Sequence, residues 1–190
     1  MEYILIFIGA IFVNNIVLAQ FLGICPFLGV SKKLDTAIGM AGAVAFVMTI
    51  STIVTFLVQK LVLVPLDLVF MQTIVFILII ASLVQLVEIV LRKTSPALHQ
   101  ALGVFLPLIS TNCVILGVAI MVINKNFDLL QSVVFTISSA AGFGLALIVF
   151  SGIREQLALT NIPKEMKGTP IALLTAGLLA MAFMGFAGIV

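Results

Sequence analysis

The residues best suited to redox or metal chemistry in this chain are its two cysteines, Cys25 and Cys113. They hold matching places in a short internal repeat. Cys25-Pro26-Phe27-Leu28-Gly29-Val30 lines up with Cys113-Val114-Ile115-Leu116-Gly117-Val118, with four identities in six positions. Asn14 and Asn15 precede the first copy and Asn112 the second. Thiolates are soft ligands, so two of them meeting would hold a metal or part of an iron–sulfur cluster. A [2Fe–2S] centre takes four protein ligands, and no carboxylate or imidazole is placed here to complete a set. His99 falls at the start of an apolar span, where an interfacial role suits it better. A cluster at Cys25 and Cys113 therefore needs a second protein that brings two more thiols. Gly23, Gly29, Gly117 and Asn112 would be its surroundings. Two plainer readings stand beside this one: small apolar filler, or a disulfide between the halves, for which no extracellular cysteine framework exists.

Glu88 is the one acidic residue embedded beside an apolar span. It shares a helical face with Gln85 and Arg92, at spacings of three and four. An intramembrane carboxylate is costly and reads as part of an ion path. An interfacial Glu88–Arg92 pair near a helix end suits its position better.

The elements that carry these residues follow from composition. Hydrophobic residues make up 63% of the 190 positions and charged residues 8%, with mean hydropathy +1.40. A soluble domain carries about 25% charged residues, so lipid must be the solvent. Charges bound six uncharged runs, and the shortest, between Asp67 and Glu88, is still 20 residues long. That is about the length a helix needs to cross the hydrocarbon core. The runs are continuous rather than alternating, which excludes a β-barrel. The expected architecture is an all-α integral membrane protein of six transmembrane helices, with spans near 3–26, 36–58, 68–91, 98–123, 129–152 and 170–189. No basic stretch precedes the first span, so it reads as a retained helix rather than a cleavable signal. Gly142, Gly144, Gly185 and Gly188 are suited to close helix contact.

Lys and Arg set the expected orientation. Lys32, Lys33, Arg92, Lys93, Arg154, Lys164 and Lys167 follow spans 1, 3 and 5, whereas only Lys60 and Lys125 follow spans 2 and 4. Odd loops are then cytoplasmic and both termini face outward. The basic residues form no patch beyond these loop ends, so nucleic acid is not a partner. Each cysteine lies in the first span of a three-span half, about 1–93 and 94–190 of a single domain. Three is odd, so the second half enters the membrane from the opposite face, as in the inverted repeats of many transporters. Gly23, Pro26 and Gly29 predict a break in span 1. Gly103, Pro107 and the polar run Ser110-Thr111-Asn112 predict one in span 4. Inversion would bring the cysteines to a shared pseudo-twofold axis.

Longer stretches carry a family resemblance. Val13-Asn14-Asn15, the run from Phe21 through Cys25-Pro26-Phe27-Leu28-Gly29 to Lys33, Arg92-Lys93-Thr94-Ser95-Pro96, Leu102 to Ile109, Thr111-Asn112-Cys113 and Ala182 to Phe186 resemble one family. Its members are membrane subunits of the Rnf ion-translocating ferredoxin:NAD oxidoreductases and of the Na⁺-translocating NADH:quinone oxidoreductases. The likeness covers nearly the whole chain. Asn14, where the paralogous branch has an acidic residue, and Thr111 before Asn112 favour the A-subunit branch of the Rnf complexes. The resemblance implies a homologous partner, the E subunit of the same complexes, inserted in the opposite orientation. Each would give two cysteines, here Cys25 and Cys113, to an intramembrane [2Fe–2S] cluster. It further implies the remaining Rnf subunits (B, C, D and G) as partners, transport of Na⁺ or H⁺, and a place in the cytoplasmic membrane of a bacterium or archaeon. Reduction of such a cluster in a low-dielectric setting would bias the two halves between inward-open and outward-open states. No nucleotide- or flavin-binding motif is visible, so the chain is not a complete oxidoreductase alone. A cofactor-free transporter and a purely structural membrane component are the competing expectations.

Overall fold

Each half of the chain opens with an interrupted apolar helix and continues with a long one. The computed structural model describes residues 2–65, 69–94, 106–161, 163 and 166–188. Helix α1 (Glu2–Ile8) runs into a π-helical turn (Gly9–Val13), and the chain leaves helical geometry until α2 (Ile24–Val30). Helix α3 (Leu34–Val58) continues through a second π turn (Gln59–Leu63), and a 3₁₀ turn (Val69–Met71) leads into α4 (Gln72–Thr94). The second half repeats the order: α5 (Leu106–Ser110), a two-residue break, α6 (Cys113–Asn124), the long α7 (Leu129–Ala158), and α8 (Thr169–Met184) with a closing 3₁₀ turn (Gly185–Gly188). All regular structure among the described residues is helical.

Among the described residues, three helices are long and apolar enough to cross a membrane: Leu34–Leu63, Gln72–Val90 and Leu129–Ala158. Three shorter apolar stretches, Ile4–Val13, Leu108–Asn124 and Thr169–Met184, accompany them. Large apolar side chains such as Phe70, Leu61, Leu78 and Ile89 lie on the outside. Water would penalise so continuous an apolar surface; a bilayer does not. The chain is an all-helical, multi-pass membrane protein.

Helices α3 and α7 form the most extensive pairing, and they run antiparallel. At one end, Arg154 near the finish of α7 reaches back to the loop before α3. Its Nη1 donates to the Leu28 carbonyl and to Ser31 Oγ, each at 2.7 Å. Phe150 stacks on Phe27 below it, with ring centroids 4.2 Å apart. At the other end, Phe56, Gln59 and Lys60 of α3 share a cavity with Val122, Asn126 and Phe127, just before α7 begins. Arg154 therefore sits with the Lys32–Lys33 loop, and Lys60 sits with the loop after α6. Between the ends the two helices meet over small residues. A methyl group at Gly144 would stand 3.3 Å from Ala41 Cβ, the close approach that lets apolar helices associate in lipid. Buried Thr52, Thr55, Thr136 and Ser138 hydroxyls each bond a carbonyl four residues back in their own helix, so they carry no unmet donor into the interface.

Three sequence expectations need correction. Pro26 and Gly29 do not break span 1, because both lie inside α2. Pro26 is the third residue of that helix, where the backbone N–H has no intrahelical acceptor in any case. The break lies earlier, over 14–23, and only Gly23 belongs to it. Pro107 likewise lies within the described part of α5, and the interruption in span 4 falls at Thr111–Asn112. Arg154 and Glu155 belong to α7, which continues beyond the expected end at 152. Gly103, His99 and Pro96 lie outside the described residues.

Candidate functional site

The first break is tied down by one amide. Asn15 is fully buried, and its Nδ2 donates to the carbonyls of Ile11 at 3.0 Å and Gly142 at 2.9 Å. Its Oδ1 accepts from the backbone N–H groups of Val17 at 3.1 Å and Leu18 at 3.4 Å. Two donors and two acceptor sites are thereby all used. Gly142 permits the bond, since a Cβ there would stand 3.2 Å from the Ala10 carbonyl oxygen and the Ile11 Cα. Irregular backbone at this depth survives because protein groups satisfy it. The chain then turns through two left-handed residues, Phe21 (φ 56°) and Gly23 (φ 79°), and enters α2 with Gly23 as its N-cap.

The second break is two residues long and self-capped. Asn112 adopts extended geometry, and its Oδ1 accepts from the Val114 N–H at 3.1 Å, an ordinary N-cap. Its Nδ2, in a residue only 4% exposed, has no hydrogen-bond partner among the described residues. Cys113 is the first residue of α6, at the positive end of that helix.

The two breaks interlock. The Gly23 N–H donates to Cys113 Sγ at 2.9 Å. Cys25 follows Gly23 by two residues, a length of chain that spans at most about 7 Å. A Cβ on Gly23 would collide with Val114 Cγ2 and stand 3.3 Å from Phe143 and 3.5 Å from Asn112 Oδ1. Gly117, one turn on in α6, leaves room for Leu22; a Cβ there would be 2.6 Å from Leu22 Cδ1. Gly23, Asn112, Gly117 and the region of both cysteines thus belong to one junction. Gly29 does not, because its open side faces Leu108 at 3.8 Å, ordinary van der Waals distance. Glu88 is half-buried on α4, with no ion pair to Arg92 among the described residues.

Depth can be estimated from helix rise. From the junction, α2 runs seven residues to the Arg154 end, and α6 runs twelve to the Lys60 end. At about 1.5 Å per residue these are roughly 10 Å and 18 Å. Their sum of about 28 Å matches a hydrocarbon core of about 30 Å. On that rise the cysteine-bearing junction lies between the two charged ends of the bundle, nearer the Arg154 end.

Both thiols are free rather than joined in a disulfide, with Cys25 exposed and Cys113 partly buried. Among the described residues no cluster of three or more Cys, His, Asp or Glu side chains forms. The donor set fits half of a four-thiolate centre. It offers two sulfurs, a backbone N–H already directed at one of them, and a buried amide donor to spare. Cys25 is open at the surface of the bundle, where a neighbouring protein would meet it. Sequence reasoning places the cysteines but not Asn15 as the clamp or Arg154 as the anchor of α2. Asn15 is visible there only as a polar residue in an apolar run, and Arg154 only as a loop charge.

Comparison with known proteins agrees with this architecture. The model of the family described as Rnf-Nqr subunit, membrane protein, matches residues 3–190. The chain is 54% identical over 189 residues to a Serratia proteamaculans protein named as the A subunit of an ion-translocating oxidoreductase complex, covering 100% of this chain and 98% of that one. It is 57% identical over 187 residues to the Syntrophotalea carbinolica protein of the same name, covering 98% and 97%. The Proteus mirabilis protein so named is 54% identical over 189 residues, covering 100% and 98%.

Proposed function

The chain belongs to the Rnf-Nqr family of membrane subunits, and from this we propose that it serves as the A subunit of an ion-translocating oxidoreductase complex and supplies Cys25 and Cys113 as half the ligands of an intramembrane [2Fe–2S] cluster. The names of its relatives support the first part. The observation that carries the second is the Gly23 N–H bond to Cys113 Sγ, which draws the two breaks to one depth. When bound, the cluster would provide a one-electron relay between the membrane faces. The chain's own part is to hold two thiolates in a dry site, to direct N–H donors at them, and to leave Cys25 open toward a partner.

The remaining two thiolates would come from the homologous E subunit in the opposite orientation, while the B, C, D and G subunits complete the complex. The antiparallel α3–α7 pair supports an inverted plan within the chain, because equivalent helices of inverted repeats run in opposite directions. Basic residues gathered at the Arg154 end support a cytoplasmic placement of that end, with both termini outside. The host membrane would be the cytoplasmic membrane of a bacterium or archaeon, and the transported ion Na⁺ or H⁺.

Analysis of iron and acid-labile sulfide in the purified complex tests the reading. Cys25→Ser or Cys113→Ser should each remove one [2Fe–2S] equivalent while the complex still assembles. Unchanged iron and sulfide in both variants would leave a cofactor-free transporter or a purely structural membrane component.

A further inference from the structure

Asn112 carries a buried donor that capping does not require. Its Oδ1 takes the Val114 N–H and so completes the cap of α6. Serine, threonine or aspartate would do the same, and none of them would add the Nδ2 amide, which here finds no partner among the described residues. An unpaired buried donor is costly, so its presence in the residue just before Cys113 calls for an acceptor. The position narrows the choice. Oδ1 stands 3.5 Å from where a Gly23 Cβ would lie, and the N–H of that glycine already holds Cys113 Sγ. Nδ2 is bonded to the same carbon as Oδ1, which places it at the junction that holds Cys113 Sγ.

We infer that the Asn112 Nδ2 donates a hydrogen bond to a sulfur of the bound cluster and raises its reduction potential. The inference rests on the cluster reading above and names the residue that tunes it. A donor on sulfur stabilises the more negative, reduced state. Asn112 is in these terms a positioning and tuning residue, not a ligand.

Potentiometric titration of the intact complex, followed by the electron paramagnetic resonance signal of the reduced cluster, reads the effect. Asn112→Ser keeps a neutral cap oxygen and removes the donor. It should retain the signal and lower the midpoint potential by about tenfold in the one-electron equilibrium, or about 59 mV. Asn112→Asp keeps the cap and adds a negative charge, and should lower the potential further. A second measurement reads the contact in the wild type itself. Wild-type complex labelled with ¹⁵N in the asparagine side chains should show a nitrogen hyperfine coupling to the reduced cluster that Asn112→Ser abolishes. An unchanged potential in Asn112→Ser, or no side-chain nitrogen coupling in the wild type, overturns the tuning role while the cluster stands. A wild-type complex without the signal overturns both.

Discussion

Replacing Cys113 with serine is expected to stop electron transfer through the membrane while leaving the chain folded. Two opposing effects decide this. The Gly23 N–H that now donates to Cys113 Sγ can donate to a serine hydroxyl instead, so the junction between the breaks keeps its link. A serine hydroxyl, however, is a hard and normally protonated group that replaces a thiolate poorly as an iron ligand. Changes in the outer shell of a metal site already cost about 10–100-fold in affinity or activity, and loss of a ligand should exceed about 100-fold. Cys25 is exposed, so Cys25→Ser removes the other ligand with still less disturbance of packing. Electron transfer through the complex in membrane vesicles, with ion uptake followed in parallel, provides the measurement. Both should fall together in both variants. A Cys25→Ser complex that kept its normal rates of electron transfer and ion uptake would contradict the relay.

Gly23→Ala should be the most destructive single change that leaves every sulfur in place. Its φ of 79° is left-handed, a region that costs a residue with a Cβ about 1–2 kcal/mol. The added methyl group would also collide with the branched side chain of Val114 and crowd Phe143. Overpacking of this kind costs about 1–3 kcal/mol, so the sum is roughly 2–5 kcal/mol, enough to displace the backbone at the junction. Gly117→Ala makes a useful contrast. Its Cβ would meet only the side chain of Leu22, chiefly the terminal Cδ1, a flexible group, in ordinary helical geometry. The loss there should be about 1 kcal/mol, at the low end of overpacking costs. Gly29→Ala meets nothing closer than 3.8 Å and should be neutral or slightly stabilising, as alanine is the better helix former. Thermal unfolding of the solubilised complex, with cluster content as a second readout, should rank the three in that order. Equal effects at Gly23 and Gly29 would mean that the interlocked junction is not what holds the two halves.

Much of this arrangement can be read from the chain alone, and the exceptions have physical causes. Charge spacing marks the apolar spans because a charge inside lipid is expensive wherever it falls. The repeated Cys-x-x-Leu-Gly-Val marks the junction because each copy begins within the first two residues of the helix that follows a break. The break in span 4 is legible from Ser110-Thr111-Asn112, since Asn112 caps α6 within its own segment. The break in span 1 is misplaced for the opposite reason. Its decisive bond runs from Asn15 to Gly142, 127 positions away, and local composition contains no trace of it. Pro26 misleads because a proline lacks a donor everywhere, yet only in a helix interior is that donor needed. Arg154 is invisible as an anchor until α7 is seen to extend past 152 and deliver the guanidinium to Leu28 and Ser31.

The central claim is that two sulfurs meet inside the bilayer as half of a shared centre. Electron paramagnetic resonance of this chain co-expressed with its homologous partner, after reduction with dithionite, tests that claim most directly. The signal of a reduced [2Fe–2S] cluster should appear when both chains are present, and disappear when either chain is expressed alone or when Cys25 or Cys113 is serine. A signal that survives loss of both cysteines, or its absence from the intact pair, would contradict the account.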